Sequence, residues 1–180
     1  MRIMISAFNL YKSAGYPENE KNHIVFTFRN CVCQQKMNDG DTNAGGYSPS
    51  RLASYLDGGF KSGLEAVIGN YLYKVARVLS TKGTWEWKEH TVFLPTEREV
   101  WGTCIWGEQR WDGGNQGQIP IFRESALYKV KRHNGSRMWW WHASPRSDDA
   151  ASFCNSNNNG NANYNNASGS GGVAPAFCVA

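Results

Sequence analysis

Asn155-Ser156-Asn157-Asn158-Asn159-Gly160-Asn161-Ala162-Asn163-Tyr164-Asn165-Asn166 holds eight Asn in twelve residues. Apolar sequence encloses it, with Met138-Trp139-Trp140-Trp141 before and Gly172-Val173-Ala174-Pro175-Ala176-Phe177-Cys178 after. A polar amide run of this density reads as disorder or a prion-like tract when its ends are free. Here the Pro-anchored apolar sequence at Val173–Val179 pins one end and the Trp run the other, so the segment is expected to be a held, solvent-facing part of a folded domain.

The tail that contains it is compositionally separate. Residues 142–180 contain no Lys, Gln, Glu, Met or Trp, whereas residues 1–141 hold 35 of these five types. About ten would be expected in the tail at the same usage. All five require a purine in the third codon position, and every residue present in the tail can be written with a pyrimidine there. Selection at the level of the codon accounts for this pattern better than a requirement of folding.

The tail and several phrases upstream resemble the variable proteins of diversity-generating retroelements. The phrases are Met37-Asn38 with Gly45-Gly46-Tyr47, Val92-Phe93-Leu94-Pro95-Thr96-Glu97, Val100-Trp101-Gly102, Trp139-Trp140-Trp141, Ala143-Ser144-Pro145, Phe153-Cys154 and Gly172 to Cys178, covering about residues 23–180. The resemblance implies an α+β, C-type-lectin-like domain of short helices around a twisted, mainly antiparallel sheet. In that family the final segment is diversified by adenine mutagenesis, for which Asn codons are preferred targets. It further implies a ligand-binding variable segment at about 141–170. The residues matching it are Trp141, His142, Arg146, Asp148, Asp149, Ser152, Asn155, Asn157, Asn158, Asn159, Asn161, Asn163, Tyr164, Asn165 and Asn166, expected to be exposed and to face one way.

By the same resemblance the partner is a protein or glycan receptor on a cell surface, met from a phage tail tip or fibre or from a bacterial surface. No cofactor is implied, and several copies in an oligomer would raise avidity for a weak receptor. Enzymes sharing the scaffold are the alternative, a formylglycine-generating-type oxidase or a metal-dependent lectin. The oxidases carry paired cysteines close in sequence, whereas Cys154 and Cys178 are 24 residues apart. The sugar-binding lectins use Glu-Pro-Asn or Gln-Pro-Asp with Trp-Asn-Asp, and none of these tripeptides occurs here.

Composition bounds the rest. A chain of 180 residues is expected to form one main domain with an aromatic core, since it holds eight each of Trp, Tyr and Phe. The net charge of +4 is spread thinly; the densest basic group, Lys129, Lys131 and Arg132, reads as a solvated face, and nucleic acid is not an expected partner. No apolar run reaches the length of a membrane span and no signal peptide is visible at the start, so membrane insertion is not expected. Five cysteines exclude complete intrachain pairing, and buried free thiols are the favoured reading.

Along the chain, residues 1–22 read as a turn-rich leader that packs loosely or contacts a neighbour. His23–Phe28 alternates as a strand. Ser48-Pro49 reads as a helix start, with Leu52, Tyr55, Leu56, Phe60, Leu64 and Val67 on one buried face and a break at Gly58-Gly59. Tyr71–Leu79, Trp85–Trp87 and Val92–Leu94 read as strands. Thr96-Glu97-Arg98-Glu99 fits a capping box, a better account of its carboxylates than an acid/base pair lacking a nucleophile. Trp111–Gln118 reads as a long turn, since Asp112 is the only carboxylate offered to a cation. Ile119–Val130 is open between helix and strand, and Asn134-Gly135 marks a turn.

Overall fold

The computed structural model describes residues 1–109 and 117–180, the side chains of residues 17 and 18 excepted. The chain is α+β, with mostly antiparallel sheets and few short helices. Strand β1 (Ile3–Phe8) runs antiparallel to β2 (Ile24–Phe28), and β3 (Cys33–Gln35) comes next. Residues 1–22 are therefore not a loose leader. Tyr11 is buried and donates its hydroxyl to Glu99 at 2.9 Å, and the buried Asn19 amide exchanges two bonds with the Ala76 backbone at 2.7 and 2.9 Å. These partners lie more than fifty residues away, so local pattern carries no sign of them.

Helix α1 (Arg51–Tyr55) starts two residues later than the sequence suggests. Ser48-Pro49 belongs to a turn closed by the Ser50 N–H on the Tyr47 carbonyl at 2.9 Å, and Ser50 Oγ is the cap, accepting from Ala53 N. A wide π turn at Leu56–Phe60 then leads into α2 (Lys61–Ile68), and Gly58 leaves helical geometry at φ −107, ψ −105. A wide turn adds a residue and rotates the next stretch of helix by about 100°. Leu52, Leu56 and Leu64 are buried, whereas Tyr55 and Val67, counted onto the same face from straight helical spacing, are exposed.

The predicted Tyr71–Leu79 strand is two strands: β4 (Leu72–Tyr73) and β5 (Val75–Ser80), in different sheets. A six-pair hairpin joins β5 to β6 (Trp85–His90), and β7 (Val92–Phe93) comes after it. The capping box forms as the sequence implies. Thr96 Oγ1 accepts from Glu99 N, and Glu99 returns a carboxylate oxygen to Thr96 N at 2.6 Å, opening α3 (Glu97–Trp101). Ile119–Val130 resolves as helical, with α4 (Pro120–Glu124) entered through Pro120 and a 3₁₀ turn at Ala126–Lys129.

Beyond it, β8 (Lys131–His133) and β9 (Ser136–Met138) form a hairpin whose turn has positive φ at Asn134 and Gly135, the pattern a two-residue turn demands. Lys129 and Lys131 are buried, not solvated. Each ammonium donates to a carbonyl at 2.8 Å, of Phe122 and of Phe28 respectively, and Lys131 lies 5.1 Å from the Trp140 ring centre. Burial pushes Lys131 down to about 7.

The tail supplies β10 (Trp140–Pro145), β11 (Ser152–Ser156), β12 (Ala162–Asn166), β13 (Gly171–Val173) and β14 (Ala176–Val179). One five-stranded sheet runs β1-β2-β14-β4, with β7 also pairing β14; the other runs β12-β11-β10-β13-β3. Strand alternation splits the Trp run. Trp140 packs on Phe122 in one core cluster; Trp141 enters the larger cluster with Phe153 and Phe177, and half-buried Trp139 meets Trp141 edge to face at 4.7 Å. Gly171 permits this, because a Cβ there would collide with both Trp139 and Trp141. Among the described residues no helix is long and apolar enough to cross a membrane.

Candidate functional site

The Asn-rich run is a hairpin. Strands β11 and β12 pair over five residues from Ser152↔Asn166 to Ser156↔Ala162, and β12 is the outer strand of its sheet. Asn157 makes the turn: its Oδ1 accepts from the N–H of Asn159 at 2.9 Å and of Asn161 at 3.0 Å, a local side-chain turn of the kind Asn favours. Gly160 closes it at φ 81, with Val130 so near that a Cβ would meet its methyl at 2.9 Å. Asn158, Asn159, Asn161 and Asn166 are exposed; Asn157, Asn163, Tyr164 and Asn165 are half-buried.

A second loop stands beside the hairpin. Buried Asn43 holds it, its amide donating to the carbonyls of Asp149 and Ser152 at 2.9 Å each. On this loop Arg146 is gripped by Asp148 at 2.6 and 3.1 Å and by Asp149 at 3.1 Å. Its guanidinium lies 3.5 Å over the Tyr164 ring, joining residues eighteen apart into one surface. Trp106 completes the group, 4.9 Å from Tyr164 and T-shaped, with its carbonyl accepting from Ser147 N. Sequence reasoning missed Trp106. It lies outside the compositional tail, and Cys104-Ile105-Trp106 before Gly107 looks like an ordinary short apolar run.

Four expected surface residues are buried: Trp141, His142, Ser152 and Asn155. Every residue of β11 is buried, so both faces of that strand are covered, and Trp141 and His142 are buried on the neighbouring β10. Ser152 donates to Asp149 at 2.8 Å and acts as part of the loop's frame. His142 shares a bond with Ser156 Oγ at 3.1 Å, and among the described residues its Nδ1 has no partner. Asn155 likewise has none there at either amide atom. Unpaired buried amides are costly, so Asn155→Leu, nearly isosteric, is expected to raise stability by about 1–2 kcal/mol in urea unfolding.

His142 and His90 are both buried, and burial pushes each down to about 3. Above pH 6.5 both states are neutral there and no penalty applies. As pH falls from 6.5 toward 3 the unfolded chain takes up protons that the folded chain refuses, so stability is lost at about 1.4 kcal/mol per unit per histidine. Urea melts between pH 6.5 and 4.5 should show this slope. His142→Leu should remove only its own share of the slope, since burial also pushes His23 down and carboxylates held low by their partners titrate in the same range.

The remaining candidates for chemistry are engaged elsewhere. Glu97 is buried and accepts from the N–H groups of Ile105 and Gly107 at 2.9 and 2.8 Å, with Trp106 N at 3.1 Å; burial lifts its pKa against those bonds. It shapes the loop that carries Trp106. Cys154 and Cys178 are buried free thiols in different sheets. Among the described residues no three His, Cys, Asp or Glu gather to hold a metal. Asp112 lies outside the described residues. The surface offers amide donors and acceptors, an aromatic pair, the Arg146 guanidinium with its two carboxylates, and Arg137 donating to Asn159 at 3.4 Å.

The profile of a domain of unknown function, DUF6273, matches residues 21–180. The chain belongs to the DUF6273 family. No curated protein and no solved structure matches it. The DUF6273 match spans both five-stranded sheets except β1, together with the hairpin, the Arg146 loop and Trp106. Residues 1–20 precede it, yet they supply β1 and the buried Tyr11 and Asn19.

Proposed function

We propose that this domain is a receptor-binding module on a C-type-lectin-like scaffold. In this reading the β11–β12 hairpin and the Arg146 loop form the face that adenine mutagenesis varies. The observation that carries it is the contrast within the tail. The Asn-rich turn is presented to solvent at a sheet edge, while the flanking Trp140, Trp141, Val173 and Phe177 are buried. Such a face can change its chemistry without disturbing the core. Planar amides and rings give adaptable hydrogen bonding with rigid contact area, suited to a protein or glycan receptor. No reaction is catalysed in this reading, and the carrier is a phage tail tip or fibre or a bacterial surface.

The encoding locus tests the proposal. A neighbouring reverse-transcriptase gene is expected, with a template repeat that matches the 3′ end of this coding sequence except at adenines. A locus without such a repeat would leave the Asn run without its proposed origin and end the retroelement reading.

A further inference from the structure

A second surface, on the other five-stranded sheet, is apolar and only partly covered. Residues paired across antiparallel strands share a face, and the register sets Ile3 opposite Phe28, Ile5 opposite Phe26 and Phe8 opposite Ile24. The same face continues through Phe177 and Val179, opposite Phe26 and Ile24; Phe28 and Phe177 on it are buried, so the open part is its β1 margin, with Val67 and Tyr71 beside it. Helix α2 covers only part of it. A groove of about 510 Å³ runs along α2 between Ile3 and Val67, and another of about 500 Å³ lies between Phe8 and Tyr71.

The exposures are large for such side chains: Ile3 40%, Ile5 56%, Phe8 68%, Val67 80% and Tyr71 67%. With roughly 150–250 Å² on an aromatic side chain and less on Ile or Val, these five leave on the order of 500–600 Å² in water. That is the upper end of the roughly 300–600 Å² of the largest patch on a typical monomer, where such patches are often functional. It is more than half of the roughly 800 Å² that each partner contributes to a stable interface.

We propose that this face packs against the same face of a second copy of the chain, across a two-fold axis. Among the described residues, no side chain lining the two grooves is acidic and only His23 is basic. A partner selected by charge would find nothing to read, whereas a neutral face meets its own copy without like-charge repulsion, even though each chain carries +4. Interfaces between identical subunits are also the more apolar class. The Asn-rich hairpin lies in the other sheet, so pairing here leaves both candidate receptor faces open.

Light scattering of the full chain at micromolar concentration should give twice the 20.2 kDa chain mass. Ile5→Lys combined with Val67→Glu should halve that mass with far-UV circular dichroism unchanged, and Asn159→Lys should leave it doubled. Should the double variant fail to fold, amide exchange on the unaltered chain decides: protection at residues 3–8 and 61–71 should rise with concentration. A chain of single mass throughout the micromolar range overturns the proposal, including the case where a different protein covers the face. So does a folded double variant that still doubles, or exchange at those residues that ignores concentration.

Discussion

Glu99→Ala is expected to lower the unfolding free energy by about 3–5 kcal/mol, enough to unfold most of a marginally stable population. Glu99 and Arg77 form a fully buried ion pair at 2.9 Å, and the same carboxylate accepts from Tyr11 and from Thr96 N. It therefore ties the first twenty residues, β5 and the start of α3 to one atom group. Removing it strands the Arg77 guanidinium, whose Nε and one terminal nitrogen already lack partners among the described residues, against the Phe93 ring at 3.8 Å. Chemical denaturation measures the loss. The combined change Arg77→Met with Glu99→Leu should recover much of it, because an apolar pair leaves no buried charge behind; equal losses in the single and double variants would contradict the account.

The second large effect is at Trp140. Its ring stacks on Phe122 at 5.9 Å, meets His142 at 4.7 Å, and donates its indole N–H to the Lys129 carbonyl at 2.8 Å. Trp140→Ala should cost about 3–5 kcal/mol from the cavity alone. The abandoned Lys129 carbonyl adds to this. Trp139→Ala should cost clearly less, since that ring is only half-buried, and the two melts side by side would test the alternation that places them on opposite faces of the chain.

The legible features of the sequence were local. The capping box at Thr96, the Asn134-Gly135 turn and the break at Gly58 each depend on residues within one turn of each other, and each is where the pattern placed it. That the Asn-rich segment is held between buried apolar flanks was legible for the same reason; that it pairs as a hairpin was not, because so polar and Gly-poor a run does not look like one. Lys131, Tyr11 and Asn19 were not, because their partners Phe28, Glu99 and Ala76 are remote in sequence, and a lysine among basic neighbours looks like a solvated one. Val67 was misplaced because helical phase was counted through a turn that resets it.

Within the site, Asn155 and Ser152 carry the same composition as the exposed Asn residues. Both faces of β11 are covered in the folded chain, and nothing in a run of amides marks which of its members will be covered. Trp106 reached the surface from the opposite direction. It is brought there by Glu97, whose three backbone bonds fold residues 105–107 back onto the helix start.

A face that can vary while the fold stands is tested most directly by a library. Asn158, Asn159, Asn161, Asn163 and Asn165 would be randomised together, leaving Asn157, Gly160 and every buried position unchanged. Surface replacements of this kind shift stability by about 0.5 kcal/mol or less per site. Most members should therefore melt within a few degrees of the parent, and selection on unrelated protein or glycan targets should return binders that differ only at these five positions. If most members instead unfold as readily as the Trp140→Ala chain, the Asn-rich hairpin is part of the fold's support and the variable-face reading fails.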